Sequence, residues 1–249
     1  VRTAIEHREV VGGIVATREG RKVVSAGAGG APIAQTMNGL AAGMSATAGQ
    51  PVPVEDVVPL TADDPAGAGL GGLALPLVFG GMIPAIVLVR LFPHSVKSRV
   101  AGAVLFAVSA GLALTAILQF GLGSVDGDYW TTSGAVILGT AAISLTVLGL
   151  ESVLGIAGFA LGAVTMMFLA NPLSGLATSP AWLPSGWGAF GQLLPPGAAG
   201  TVVRSTAFFD GHGAGAGLLV LSCWILFGLG LCVVSGLRER RAPQEPAVA

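Results

Sequence analysis

The stretch YWTTSGAVILGTAAISLTVLGL, Tyr129–Leu150, contains no charged side chain. A helix rises about 1.5 Å per residue, so about 20 apolar residues cross the roughly 30 Å of hydrocarbon in a bilayer. Four longer stretches also lack Asp, Glu, Lys and Arg, and they lie between Asp64 and Arg90, Arg99 and Asp126, Glu151 and Arg204, and Asp210 and Arg238. Soluble domains carry about 25% charged residues, whereas this chain carries 10%. This pattern favours a polytopic membrane protein over the alternative, a soluble protein with apolar core helices.

The charge-free stretches predict an all-α membrane domain over residues 66–238. Its five transmembrane helices are expected near residues 69–91, 100–122, 131–150, 152–170 and 214–236. The stretch after Glu151 is much longer than the others, but prolines interrupt its second part. It therefore predicts a turn at Glu151, one helix, and then an irregular segment over residues 171–213.

The segment 171–213 combines tryptophans, prolines and glycines with apolar residues. Tryptophan favours the membrane interface, and irregular backbone survives at depth only where protein or a cavity covers it. An interfacial or re-entrant position is therefore expected. Arg204, the one arginine or lysine of the segment, is expected to reach the lipid surface, with substrate contact as the alternative.

Basic residues in the short loops predict the orientation. Arg90, Lys97 and Arg99 follow the first span, and Arg238 follows the last, whereas the loop at residues 124–131 has no Lys or Arg. Positive charge in short loops marks the cytoplasmic side. The tail, residues 239–249, is therefore expected in the cytoplasm, and the N-terminal domain outside the plasma membrane.

Residues 1–65 predict a small α/β domain. Residues 2–9 favour a helix, short strands are expected at 13–16, 22–26 and 54–58, and Pro32 opens another helix. So short a chain forms a weak core of its own, so this domain is expected to pack on the membrane part or on residues missing upstream of Val1. Nothing apolar precedes it to carry it outside, and we therefore expect a further, sixth transmembrane helix upstream of Val1, or else a cleaved signal peptide.

Two pairs of glycines have the spacing of close helix contacts. Gly158 and Gly162, and likewise Gly213 and Gly217, lie four residues apart, which lets helix backbones approach each other. Packing between helices is the role expected for all four.

Several functional classes lack their motifs in this chain. The sequence contains no G-x-x-x-x-G-K-[ST] phosphate-binding loop and no H-E-x-x-H zinc motif. No ionisable residue is expected at mid-depth in a span, where ion-coupled carriers need one. The net charge of −1 does not favour nucleic-acid binding. We therefore expect no enzyme activity, no metal and no cofactor, and any transport would need energy from another polypeptide.

Four sequence motifs carry a family resemblance. NPLSG at Asn171–Gly175, GQLLPPGA at Gly191–Ala198, RSTAFFDG at Arg204–Gly211 and DVVPLTADDPAGAGL at Asp56–Leu70 resemble a group of actinobacterial ABC-2 type permeases, related to the phage-infection-protein-like branch. The resemblance implies six membrane helices, an outside domain between the first and second, and a homodimer or heterodimer of permease chains. A separate cytoplasmic ATPase would drive export of a hydrophobic, lipid-like, peptidic or drug-like substrate.

The resemblance also implies roles for two regions. The contacts with the ATPase would be His94, Lys97, Arg99 and Glu151. The segment that closes the exit path would include Asn171, Pro172, Trp182, Trp187, Gln192, Pro195, Pro196 and Arg204. The alternative function is a membrane-anchored receptor or scaffold that binds an envelope or phage component through its outside domain.

Overall fold

The computed structural model describes residues 1–17 and 20–241 and is mainly helical. The last part of the predicted cytoplasmic tail, residues 242–249, lies outside the described residues. The chain forms a small domain of helices and strands followed by a bundle of helices.

The N-terminal domain contains two helices and a three-stranded sheet. Its elements are α1 (Arg2–Glu6), β1 (Gly12–Thr17), β2 (Gly20–Ser25), α2 (Ala31–Ala48) and β3 (Val54–Asp56). The strand order is β1-β2-β3, with β1 antiparallel and β3 parallel to β2. Parallel strands need a long crossover, and α2 supplies it. The predicted α/β character is present, although the third strand is shorter than expected.

The core of this domain is completed by the helical bundle. Ile5, Val24, Ala26 and Ala28 form a buried cluster with Phe209, a residue that follows the bundle helix α9 (Pro195–Phe208). A domain of this size buries too little apolar surface to be robust alone. In the structure the domain packs on the helical bundle, which is one of the two arrangements expected from the sequence.

The rest of the chain is almost entirely helical. Besides α9, its helices are α3 (Ala68–Gly72), α4 (Ala74–Leu91), α5 (Val96–Ala116), α6 (Tyr129–Leu154), α7 (Ile156–Val164), α8 (Trp187–Gln192) and α10 (Gly215–Arg241). Four helical segments are long and apolar enough to cross a membrane: Ala68–Leu91, Val96–Gly121, Tyr129–Leu154 and Gly215–Arg238. These correspond to four of the five predicted spans and are consistent with a multi-pass membrane protein.

The fifth predicted span corresponds to a shorter apolar helix. It comprises α7 and a π-helical continuation, Thr165–Ala170, so that Ile156–Ala170 is helical. Its 15 residues rise about 22 Å, less than the thickness of the hydrocarbon. A fifth crossing at this position remains a prediction. The turn before it lies at Gly155, which has φ 63°, so the predicted turn at Glu151 is wrong.

Helix α6 lies at the centre of the bundle, where it packs against α4, α5, α7, α9 and α10. In its most apolar part 78% of the residues are buried, compared with 22% in the corresponding parts of α5 and α10. Helices α5, α6 and α10 are similar in hydropathy, but α6 is surrounded by protein whereas α5 and α10 are largely exposed on the outside of the bundle.

The contact between α6 and α10 depends on two glycines. A Cβ atom added at Gly149 would collide with the carbonyl oxygen of Gly228, and one added at Gly228 would overlap the carbonyl oxygen of Leu145. Small residues allow this approach of two helix backbones. Gly230 lies two residues further along α10 on a different face, and a Cβ atom added there would meet no neighbouring atom within 4 Å.

We expect Gly228→Ala to destabilise the fold by about 1–3 kcal/mol, the usual effect of overpacking. Gly230→Ala is the matched control and should leave stability unchanged or slightly raised. Thermal unfolding of the purified protein in detergent measures both. Equal stability of the two variants would contradict this account of the α6–α10 contact.

Asp64 caps the start of the first span. Its side chain is 8% exposed, Oδ1 accepts a hydrogen bond from the backbone N–H of Ala68 at 2.8 Å and Oδ2 one from Gly69 at 2.7 Å. Burial by itself would raise the pKa of Asp64, but these hydrogen bonds and one from Ser124 hold it below its ordinary value. The charged carboxylate therefore stabilises the folded state.

Asp64→Asn is expected to lower stability by about 1 kcal/mol, the typical effect of losing a helix cap. Because the pKa is lower in the folded state, the stabilisation is present above the pKa of an unfolded aspartate, about 3.9. It is lost as the pH falls through the folded-state value. Thermal unfolding midpoints of the unmodified protein and of Asp64→Asn, measured over a range of pH, test this pH dependence. Asp63→Asn, at the exposed neighbour, is the control, and the same loss in both variants would contradict the cap.

Candidate functional site

The loop between α4 and α5 is tied to the bundle by a buried arginine. Arg99 is 6% exposed, and its guanidinium donates to the carbonyl oxygen of Phe92 through Nε at 2.8 Å and to that of Pro93 through Nη2 at 2.6 Å. Ser95 begins α5 by accepting a hydrogen bond from the backbone N–H of Ser98. The loop is thus held by its own cap and by one side chain from the first turn of the helix.

Arg99 also links this loop to the central helix. Its Nη1 atom lies 3.8 Å from Oε2 of Glu151, in the last turn of α6. Among the described residues this oxygen has no hydrogen-bond partner, so the arginine is its main compensation. A carboxylate neutralised in this way can stay within a helix, which is why Glu151 does not mark a turn.

A third helix joins at the same end of the bundle. Ser235 of α10 donates a hydrogen bond from Oγ to the carbonyl oxygen of Ser152 at 2.7 Å. The ends of α5, α6 and α10 therefore meet in one polar cluster. The sequence predicts that these ends share one side of the membrane, and the structure places them at the same end of the bundle.

The four predicted ATPase-contact residues differ in accessibility. His94 and Lys97 are exposed on the loop and the first turn of α5. Arg99 is buried, and Glu151 is mostly buried beside it. The last two residues thus cannot offer a contact surface in this conformation. Their position suits the support of the loop that carries the first two.

The segment 171–213 is far more ordered than expected. Two short 3₁₀ turns, Pro172–Ser174 and Pro180–Trp182, lead into α8 and α9. Pro195 and Pro196 are buried in the first turn of α9, where proline fits because the first helical N–H groups need no partner inside the helix. The prediction of an irregular segment is therefore wrong for its second half.

Side chains from the predicted outer segment bring its turns together. Gln192 donates from Nε2 to the carbonyl oxygen of Ser174 at 3.1 Å and accepts a hydrogen bond from Thr201. The carbonyl oxygen of Asn171 accepts from Oγ of Ser174 at 2.7 Å. These contacts join the first 3₁₀ turn, α8 and α9.

Three of the residues predicted to close the exit path are exposed. Trp182 and Trp187 have half of their surface exposed, and Pro172 is also exposed. Tryptophan side chains at the rim of an apolar bundle suit the boundary between hydrocarbon and water. Their predicted place at the outer boundary stays a prediction.

Arg204 does not extend to the surface, and the expectation that it reaches the lipid surface is wrong. Its side chain is 4% exposed and donates from Nη2 to the carbonyl oxygen of Leu176 at 2.9 Å. The prediction failed because α9 is not an isolated interfacial helix. Most of its residues are buried against α6, α10 and the preceding turns.

Three of the four predicted packing glycines lie at close helix contacts. A Cβ atom at Gly158 would overlap the carbonyl oxygen of Leu150, and one at Gly162 would press on Val147, so both serve the hairpin of α6 and α7. Gly217 lies against Val202 of α9. Gly213 differs, because it precedes α10 in a turn with φ 78°, so its predicted role in helix packing is wrong.

Three side-chain contacts join residues that are distant in the sequence. The rings of His7 and His212 stack with centroids 4.3 Å apart. Glu55 pairs with Lys22 at 2.6 Å and with Arg2 at 3.0 Å. Hydrogen bonding to Lys22 is the main cause that lowers the pKa of Glu55. No linear pattern signals contacts between residues this far apart in the chain.

Comparisons with known proteins return no relative. No family model, no curated protein and no solved structure matches the chain. The residues that the structure describes also contain no group of three or more His, Cys, Asp or Glu side chains placed to hold a metal ion. The arrangement of the helical bundle is therefore the basis for the proposed function of this protein.

We expect Arg99→Ala to destabilise the protein by about 3–5 kcal/mol, because it leaves Glu151 buried without a partner. The double variant Arg99→Met with Glu151→Met removes both charges and should lose less stability than Arg99→Ala. Lys97→Ala, at the exposed neighbour, is the control. Thermal unfolding in detergent distinguishes these variants, and a double variant less stable than the single one would contradict the pairing.

Proposed function

We propose that this chain is the membrane subunit of an ABC-2-type exporter. It would lie in the plasma membrane with the N-terminal domain outside and the C-terminal tail in the cytoplasm. It would pair with a second permease chain, identical or related, and take its energy from a separate ATPase. Its cargo would be a small hydrophobic, lipid-like, peptidic or drug-like molecule.

The observation that carries this proposal is the connection between an exposed loop and the central helix. His94 and Lys97 are accessible, while Arg99 beside them holds the loop carbonyls and faces Glu151 of α6. A push on this loop is transmitted to α6, which contacts nearly every other long helix. An exporter driven by a separate cytoplasmic ATPase needs a rigid link of this kind.

The distribution of exposed apolar side chains supports a place in lipid and a partner chain. Large apolar residues project from α5 and α10, and the most exposed of them are Leu105, Leu219, Leu226 and Val233. Water-exposed patches of this extent are unusual in soluble monomers. Acyl chains and a second permease chain are the surroundings that such faces suit.

The placement of charge supports the orientation. Arg90 and Lys97 lie at the end of the bundle where α4 stops and α5 starts, and Asp126 and Asp128 precede α6 at the other end. Basic loops favour the cytoplasmic side. The N-terminal domain packs at the acidic end, through its contact with Phe209.

The test is purification of the intact protein from its native cells in mild detergent, followed by assay of ATP hydrolysis in the preparation. We expect a P-loop ATPase to co-purify. Lys97→Glu should reduce its recovery about tenfold, the effect of about 1.4 kcal/mol at an interface, because the charge of the exposed loop is reversed.

Arg21→Glu is the matched control, since Arg21 is an exposed cation on β2 of the N-terminal domain. Its recovery of the ATPase should equal that of the unmodified protein. Absence of any ATPase, or an equal loss in both variants, would count against the exporter.

One observation favours the receptor or scaffold as a second candidate. An open groove of about 1190 Å³ runs between β2 and α2, and it is lined by Lys22, Leu40, Met44 and Val52 among others. Leu40 is exposed there. A scaffold would bind its outside partner at such a groove and would purify without an ATPase, so the same preparation separates the two candidates.

A further inference from the structure

Two arginines meet where the N-terminal domain rests on the bundle. Arg8 donates from Nη1 to the carbonyl oxygen of Thr201 at 3.0 Å and to Oγ of Ser205. Arg204 lies between these two residues on α9. Both guanidinium groups therefore belong to one small region, although Arg8 comes from the other end of the chain.

The Arg204 side chain is buried and incompletely bonded. Only 4% of it is exposed, Nη2 reaches the carbonyl oxygen of Leu176, and Nε has no hydrogen-bond partner among the described residues. Burial, followed by repulsion from Arg8, lowers the pKa of Arg204 to about 10. Burial likewise lowers the pKa of Arg8. An arginine side chain keeps its proton in proteins, so both groups are cationic and repel each other.

Among the described residues, no acidic side chain forms an ion pair with either arginine. The ion pairs among the described side chains involve Arg2, Lys22 and Arg99, and none of them involves Arg8 or Arg204. Buried charges in proteins are normally paired. Two neighbouring guanidinium groups without a carboxylate thus leave a local excess of positive charge.

The backbone at Arg8 is held in an unusual conformation. Arg8 has φ 61°, and the other described non-glycine residue with positive φ, Asp210, lies at the same junction with φ 49°. This conformation is unfavourable for a residue with a side chain, and such residues cluster at binding sites. Here it directs the Arg8 side chain onto α9, 5.2 Å from the ring centre of Phe209.

A small cavity opens beside the arginine. Its volume is about 170 Å³, and its wall includes Arg8, Ser179 and the apolar side chains of Ile5, Val11, Pro180 and Phe209. The cavity thus combines one cation and one hydroxyl with apolar surface. Its chemistry suits a ligand with an anionic end and a small apolar part.

We propose that Arg8 binds an oxyanion in this cavity, a phosphate or carboxylate that carries an apolar group, and that the positive charge of the nearby buried Arg204 favours the anion. The planar guanidinium fork matches the oxygens of these anions, and the apolar wall accepts the attached carbon atoms. The site lies at the junction of the two parts of the molecule and does not depend on an ATPase, so it goes beyond the exporter function. Its occupation would fasten the N-terminal domain to α9.

The test is calorimetric titration of the intact protein in a non-ionic detergent at constant ionic strength. The probes are hexyl phosphate, hexanoate, inorganic phosphate and hexyltrimethylammonium. We expect saturable binding of the two hexyl anions, weaker binding of inorganic phosphate and none of the cation. Lack of saturable binding of either hexyl anion, or equal binding of the cation, would overturn the proposal.

The variants separate this site from general charge effects. Arg8→Gln should weaken hexyl phosphate binding at least tenfold, while Arg2→Gln, which removes an exposed arginine of α1, should leave it unchanged. Arg8→Lys keeps the charge but loses the fork and should bind with intermediate affinity. An Arg8→Gln variant that binds hexyl phosphate like the unmodified protein would refute the site.

Arg204→Gln removes a buried hydrogen bond and is expected to destabilise the fold itself, so the mutational test uses variants of Arg8.

Thermal unfolding gives a second readout, because a ligand that binds only the folded state raises the unfolding midpoint. Hexyl phosphate should raise the midpoint of the unmodified protein and of Arg2→Gln but not that of Arg8→Gln. The same rise in all three proteins would overturn the proposal.

Nanodiscs identify the source of the anion. If it is the head group of a lipid, hexyl phosphate should bind in nanodiscs of phosphatidylcholine and be displaced in nanodiscs that contain phosphatidylglycerol. If it is a free small molecule, the titration should be the same in both. Either result supports the oxyanion site, and no binding in either nanodisc would contradict it.

Discussion

Hydrocarbon offers no hydrogen-bond partner to a backbone N–H or carbonyl group, and a chain with so few charges must satisfy these groups internally. Helices do this within one segment, which is why the apolar stretches of this protein form helices. Packing between helices then decides which of them are buried and which are exposed. Helices α6 and α10 pack closely because Gly149 and Gly228 allow the two backbones to touch. Helix α6 can then occupy the centre, with the more exposed α5 and α10 around it.

Arginine performs a related task at both ends of the bundle, where the chain leaves the helix and carbonyl groups lose their partners. Arg99 donates to Phe92 and Pro93 at one end, and Arg204 donates to Leu176 at the other. Both side chains are buried, but their charges are treated differently. Glu151 faces Arg99, whereas Arg204 is next to another cation, Arg8. Because of this difference in charge, we propose a mechanical support at the Arg99 end and an anion-binding site at the Arg204 end.

Much of the helical framework could be predicted from the position of charges, because a charge-free stretch of about 20 residues has few alternatives to a membrane helix. The errors have a common physical cause. Isolated charges are costly inside an apolar bundle, so the sequence predicts a turn at Glu151 and a position at the lipid surface for Arg204. Partners from other parts of the chain remove that cost, and only the folded chain shows them. Pro195 and Pro196 predict a break in the helix, but proline in the first turn of a helix is favourable.

Phe209 belongs by sequence to the membrane part but completes the core of the N-terminal domain. The two parts therefore share hydrophobic stabilisation, and neither has a complete interior without the other. We therefore expect them to unfold as a single cooperative unit. A protease cut between them would release two incomplete fragments instead of two independent folding modules. Mechanical tension applied to the N-terminal domain would act directly on the end of α9.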